Sequence, residues 1–286
     1  MTFKLVTDST ADLNETWAKD NDVTVLGLTI RLDGITYETV GDNRITSEAL
    51  LAAMQTGSKP TTSQINVGTF EACFRQEVQK GNSLLYMAFS SVLSGTYQSA
   101  VMAREMILEE YPEARIEIVD TLAAAGGEGF LVMLAAEKRN QGQSLDQVAT
   151  DMKAISPYLY SHFLVDDLYH LMRGGRLSKS SALIGSLINI KPLLWINGQG
   201  KLEPLIKVRG RKKGIREMIE KSLQDLDDTT VVVAHADDTE GAQKIEECLL
   251  DKSGVSRVIQ LPLGPAIAAH VGPGTLAIFT IKKSPR

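Results

Sequence analysis

Ser83-Leu-Leu-Tyr-Met-Ala-Phe-Ser-Ser-Val-Leu-Ser-Gly-Thr-Tyr-Gln98 is the stretch on which the reading of this chain turns. Ser83 to Phe89 is a short apolar run of strand length, and Gly95 to Glu110 carries the spacing of a helix. Between them, the hydroxyls of Ser90, Ser91, Ser94 and Thr96 collect around one glycine. A buried strand that feeds a helix through a tight polar junction is the repeating unit of α/β sheets. Ligands of such sheets sit beyond the carboxyl ends of the strands, where this junction falls.

Outward from the junction the same rhythm continues. Strands are expected at Phe3 to Val6, Val23 to Ile30 and Arg115 to Val119, and helices at Ala11 to Lys19, Ser47 to Gln55, Val67 to Lys80 and Gly126 to Arg139. This alternation predicts an α/β sheet covered by helices on both faces. After Pro157 the strand candidates crowd together at Tyr158 to Val165, Lys191 to Ile196 and Lys201 to Lys207. The last two flank Asn197-Gly198-Gln199-Gly200, a hairpin signal. Helices at Gly214 to Leu226 and Thr239 to Asp251 and strands at Thr230 to His235, Arg257 to Leu261 and Leu276 to Ile281 complete the pattern.

Composition sets the outer bounds. With 286 residues, 43% of them hydrophobic and 23% charged, the chain is long enough to bury about 73% of its unfolded surface. Disordered, collagen-like and coiled-coil classes are excluded. Cys73 and Cys248 are the only cysteines, too few and too far apart for a disulfide framework or a zinc cluster. Before Asp8 there is only a brief apolar stretch, shorter than the core of a signal peptide. Nowhere does the chain approach the ~18 apolar residues of a membrane span. The expectation is therefore a soluble, cytoplasmic protein.

Charge is uneven along the chain. There are 12 basic and 21 acidic residues before Pro157, but 18 and 14 from there on. The basic excess concentrates in Lys201, Lys207, Arg209, Arg211, Lys212, Lys213 and Arg216, which reads either as a solvated face or as a docking surface for an acidic partner. A net charge of -5 and a pI near 5.5 argue against nucleic acid as that partner.

Several polar clusters are candidates for a site. Ser94, Gly95 and Thr96 would present hydroxyls and backbone N–H groups at a helix N-terminus, which favours an anion. Simple capping accounts for one such hydroxyl, and the cluster holds more. Pro60-Thr-Thr-Ser-Gln64 reads as a loop entering a helix, and Asp8-Ser9-Thr10 as a cap after the first strand. His270 closes a short apolar helix followed by glycines, a setting that lets a ligand approach. His162, His170 and His235 lack that setting and read as structural. Arg173-Gly-Gly-Arg176 joins two guanidinium groups through a flexible pair, either as a helix end or to grip a carboxylate or phosphate. Hydrolase and nucleotide motifs are missing: Leu93-Ser94-Gly95 lacks the first glycine of a nucleophile elbow, and Gly126-Gly127-Glu128-Gly129 lacks dinucleotide spacing.

Taken in order, Thr7-Asp-Ser-Thr-Ala-Asp12, Pro60-Thr-Thr-Ser-Gln64, Ser90 to Gln98, Leu164-Val-Asp-Asp-Leu168, Gly174-Gly-Arg-Leu-Ser-Lys179, Ile190-Lys-Pro192 and Ala268-Ala-His-Val-Gly272 resemble the DegV family of fatty-acid-binding proteins. These are the carrier subunits of bacterial fatty acid kinase systems. The resemblance implies a two-lobed α/β fold acting as one unit over residues 3–281, with an N-terminal lobe at 1–157 and a C-terminal lobe with a mixed sheet at 158–286. It implies a bound long-chain fatty acid, such as palmitate or oleate, with its carboxylate at the strand-helix junction on Thr62, Ser94, Gly95 and His270. Arg176 and Arg209 would face a kinase subunit that resembles dihydroxyacetone kinases and holds the ATP site. No catalytic residue, metal or cofactor of its own is implied, and transient contact with a membrane surface fits the role. The sequence departs from the family pattern at Ile65, where proline is usual, and near Leu122, where serine is frequent. Two other readings of the same residues stay open: a small-molecule enzyme acting through Ser94 and His270, and a regulatory interaction module built on the basic stretch.

Overall fold

The computed structural model describes residues 3–178, 190–252 and 254–286. In chain order the first half contains β1 (Lys4–Asp8), α1 (Glu15–Asp20), β2 (Val23–Leu26), β3 (Thr29–Leu32), β4 (Ile35–Glu38), α2 (Ser47–Gln55), β5 (Thr61–Ser63), α3 (Val67–Gln79), β6 (Leu84–Ala88), α4 (Thr96–Glu110), β7 (Ile116–Asp120), α5 (Gly126–Asn140) and α6 (Leu145–Ile155). The second half contains β8 (Leu159–Leu164), α7 (Leu168–Arg173), β9 (Ile190–Ile196), β10 (Leu202–Arg209), α8 (Arg211–Leu223), β11 (Thr230–Ala236), α9 (Thr239–Leu250), β12 (Arg257–Pro262), α10 (Pro265–Val271) and β13 (Thr275–Ile281).

A parallel sheet runs β2-β1-β6-β7. Its strands alternate in the side chains they send to each face, as the pleat requires. Leu84, Tyr86 and Ala88 pack with Phe70, Phe74, Ala100 and Ile107 of α3 and α4. Leu85 and Met87 point the other way and join the cluster containing Phe130, Leu131 and Met152 of α5 and α6. Helices therefore cover both faces, as the alternation predicts. The second sheet is mixed, ordered β10-β9-β8-β13-β11-β12, with only β11 and β12 parallel. One face packs on Met218 and Ile219 of α8 and Ile245 of α9. The other, carrying Phe163, Ala277 and Phe279, turns toward α5.

The two sheets thus share one helix, and its sequence explains how. Gly126, Gly127 and Gly129 present bare backbone to both sides: a Cβ on Gly127 would lie 2.8 Å from the Phe279 ring, and one on Gly129 would lie 2.4 Å from the Ala11 carbonyl. The glycine run at the start of this helix serves close packing.

Three expectations need correction. Val23 to Ile30 is not one strand, because it breaks at Gly27 into β2 and β3 of different sheets. Gly27 packs so closely on Val40 that a Cβ would come within 2.6 Å of it. The Ser9 hydroxyl braces this bend by accepting from Leu28 N–H at 3.1 Å. Pro60 to Gln64 is not a plain loop, since Thr61–Ser63 pairs antiparallel with β3. Ala11 to Lys19 is split by Asp12, whose backbone is left-handed, and α1 starts only at Glu15 under an Asn14 cap. The hairpin at Asn197 forms as expected, with Asn197 Oδ1 accepting from Gln199 and Lys201 N–H. Lys179 of the GGR motif lies outside the described residues.

Since the Gly129 contact is with backbone, which yields little, Gly129→Ala should destabilise the protein by about 1–3 kcal/mol. Urea denaturation would show this as a lower midpoint with an unchanged slope.

Candidate functional site

A cavity of about 380 Å³ lies where the parallel sheet meets the inner face of the mixed one. Leu28, Thr10, Phe89 and Ala124 line it, and they follow β2, β1, β6 and β7, so all four parallel strands point their carboxyl ends at it. The opposite wall is the mixed sheet, with Ile196 of β9, Phe163 of β8, and Ala277 and Phe279 of β13. α10 closes a side with Ala266, Ile267 and His270. Most of this surface is apolar, and small side chains at Ala124, Ala125, Ala266 and Ala277 leave the room. Ala125 adopts φ 57, ψ -144, an unusual conformation for a residue with a side chain, and such outliers gather at functional sites.

Polar groups converge from several elements. β5 supplies Thr62, whose Oγ1 lies 2.8 Å from His270 Nε2. The junction after β6 supplies Ser94 and Gly95. Ser94 Oγ accepts from Thr96 N–H at 3.2 Å and lies 2.9 Å from Thr96 Oγ1, a local turn bond just before α4, whose N-cap is Gly95, and it also lines the cavity. Gln64 Nε2 donates to Ser99 Oγ at 2.9 Å, and its side chain packs where a Cβ on Gly95 would sit. A side chain at Gly95 would have to displace the Gln64 amide. Ile65, at the departure from the family pattern, uses its N–H on Thr96 Oγ1 at 3.4 Å, a bond proline lacks.

His270 is half-buried, and desolvation together with the neighbouring guanidinium groups of Arg176 and Arg173 pushes its pKa down to about 3. The ring is therefore neutral at physiological pH. Its Nδ1 has no partner and faces Gly174, where even a methyl group would come within 2.2 Å. An orphaned N–H is rarer in proteins than an orphaned lone pair. We assign the hydrogen to Nε2, which then donates to Thr62 Oγ1 and leaves the Thr62 hydroxyl hydrogen free for an acceptor in the cavity. Arg176 is half-buried, and that burial lowers its pKa. It donates to the Leu93 carbonyl at 3.1 Å and borders both the cavity and an adjoining groove past Val92 and Pro204.

The structure thus gathers Thr62, Ser94, Gly95, His270 and Arg176 on one cavity. Arg176, expected at a partner-facing surface, belongs to this lining as well. Arg209 is exposed at the end of β10 and does not line the cavity. Arg211, from the same basic stretch, is committed to Asp166 at 2.7 Å and to Asp238. Ser94 and His270 do not pair as nucleophile and base, because each bonds a different threonine. Sequence reading missed Thr10, although it sits in the first motif. Its hydroxyl lies 2.9 Å from Glu128 Oε2 and also bonds Asp8, beneath the cavity. Burial raises the pKa of both carboxyls, that of Glu128 well above the ordinary carboxylate range. Among the described residues no cluster suited to a metal ion occurs.

Fold and site together define an α/β protein built around an apolar cavity with one polar end. The DegV family model matches residues 2–283, and the chain belongs to the DegV family. It is 58% identical over 286 residues to a DegV domain-containing protein of Streptococcus pyogenes serotype M1, covering all of both chains. Among solved structures, a DegV family protein from Thermus thermophilus described for its fatty acid binding aligns with a TM-score of 0.88 at 30% identity, over 99% of this chain and 100% of that one. A fatty acid binding DegV family protein from Streptococcus agalactiae aligns with a TM-score of 0.85 at 28% identity, over 99% and 100%.

The His270 ring should show no titration between pH 5 and 8 by NMR, and Gly174→Ala, which must expel the ring, should restore a pKa near the ordinary ~6.5. The folded-state pKa is depressed, so the neutral ring's contribution to stability is complete above about pH 6.5. It is lost as pH falls toward 3, by at most about 1.4 kcal/mol per pH unit.

Proposed function

We infer that this chain is a carrier of long-chain fatty acids such as palmitate or oleate. The observation that carries the reading is the cavity itself, apolar over most of its wall and with a concentration of polar groups where Thr62, Ser94, Gly95, His270 and Arg176 meet. Solved relatives at 28–30% identity described as fatty acid binding support it. Burying about 14 methylenes at ~0.8 kcal/mol each contributes roughly 11 kcal/mol before ordering costs, so the tail supplies affinity. The carboxylate fixes register. Thr62 and Ser94 hydroxyls and the Gly95 region hold it with neutral donors, while Arg176 offsets its charge at the edge of the cavity.

In this reading the protein is not itself an enzyme. It works in the cytoplasm as one unit over residues 3–281, with lobes at 1–157 and 158–286, and presents the acid to a fatty acid kinase subunit that brings the ATP. Arg209 and the cationic stretch around it would steer that encounter, a role suited to exposed charge. Membrane contact would be transient, for loading. Among the described residues no helix is long and apolar enough to cross a membrane.

Combining Thr62→Ala with Ser94→Ala should weaken fatty acid retention by on the order of 3 to 6 kcal/mol while leaving the fold intact, because two bonds to a charged group are lost. Unchanged retention of radiolabelled palmitate would overturn the head-group assignment. Arg209→Ala should spare retention but slow acyl phosphate formation by a purified kinase subunit. The defect should shrink at high salt, where screening shortens to about 3 Å at 1 M. Wild-type turnover at both ionic strengths would return Arg209 to the solvated face.

A further inference from the structure

The inner face of the mixed sheet is apolar across its middle, with one exception. Ser161 of β8 lines the cavity beside Phe163, and its register partner on β13 is Phe279. Ile196 and Ala277, from the strands on either side, line the same wall. Ser161 is 1% exposed, and its Oγ has no hydrogen-bond partner. The other buried hydroxyls on the cavity are spoken for. Thr10 bonds Glu128 and Asp8, and Thr275 Oγ1 lies 3.0 Å from the Gly272 carbonyl and 3.1 Å from that of Val271.

An unsatisfied hydroxyl in an apolar wall destabilises the protein, where alanine would pack without that cost. Neighbouring positions on the same face show that alanine and phenylalanine are accommodated there. A plain saturated tail has nothing to offer this group, because methylenes neither donate nor accept. The head group is held elsewhere, at Thr62 and His270 on β5 and α10. What would satisfy Ser161 is an acceptor carried part-way along the chain.

We propose that Ser161 is a specificity-determining residue, and that the cavity selects long-chain acids bearing a hydrogen-bond acceptor within the acyl chain. Two sources share this chemistry. The π-electrons of a carbon-carbon double bond accept weakly, and an oxygen substituent accepts strongly. This inference rests on the carrier reading above and deepens it by naming the class of chain.

The test uses the full-length protein stripped of lipid and compares three acids of equal chain length: stearate, oleate and 12-hydroxystearate. Wild type should bind oleate, 12-hydroxystearate or both roughly threefold to tenfold more tightly than stearate, the range expected of one net hydrogen bond. Ser161→Ala should abolish that ratio while leaving stearate affinity equal or improved, and Ser161→Cys, a weaker donor of similar size, should fall between. Preference for oleate alone identifies the double bond as the acceptor, and preference for the hydroxy acid alone identifies oxygen. Thermal unfolding of each variant without ligand reports whether the wall stays intact. A ratio unchanged by Ser161→Ala, or no preference in wild type, would overturn the proposal. Failure of all three acids to bind wild type would instead remove the carrier reading on which it stands.

Discussion

Close packing of helix α5 between two sheets is the constraint on which the rest depends. Three of its first four residues are glycines, and each lies against an atom that a methyl group would strike. Their absence of side chains brings the Phe279 face of the mixed sheet and the turn after β1 onto the same helix. The loop entering α5 then has to lie at the carboxyl ends of the parallel strands, and Ala124 and Ala125 of that loop become cavity wall. Glycine in a helix weakens it locally. Here that loss is offset by burial of the helix, whose first seven residues are all buried.

The cavity follows from the same geometry. Its body is made by small residues at places where larger ones would close it, and the polar groups at its end are held by neighbouring side chains. His270 holds Thr62, Thr96 holds Ser94, and Gln64 packs on Gly95. None of these pairs is an ion pair, so in the proposed carrier a carboxylate would meet neutral hydroxyls. Desolvation and the nearby Arg176 and Arg173 keep the histidine neutral, so the fixed positive charge bordering the cavity is that of Arg176.

Much of this was readable before the structure. The β6–α4 junction announced itself through its hydroxyls and its glycine, and Asn197-Gly198 announced the hairpin. The family resemblance, not the local pattern, groups Thr62 with Ser94, Gly95 and His270, and the structure brings them to one cavity although Thr62 and His270 are 208 residues apart in sequence. What local pattern could not show was tertiary. Thr61–Ser63 looks like a loop because a three-residue edge strand has too few residues for alternation to register. Gly27 breaks a continuous apolar run for the sake of one contact with Val40. Arg176 reads in sequence as a helix end or a grip on a carboxylate or phosphate, and the fold puts it at the rim of the cavity. Ser161 sits in an ordinary strand, and its significance appears only when its missing partner is seen.

A fatty acid carrier built this way, as proposed, would hold one long acyl chain in its cavity. Native mass spectrometry of the freshly purified protein, followed by solvent extraction of the same sample, tests it most directly. The account predicts a mass excess equal to one long-chain fatty acid per chain, recovered in the extract at about equimolar amount. A protein that arrives empty, and that after delipidation takes up neither palmitate nor oleate, would contradict it.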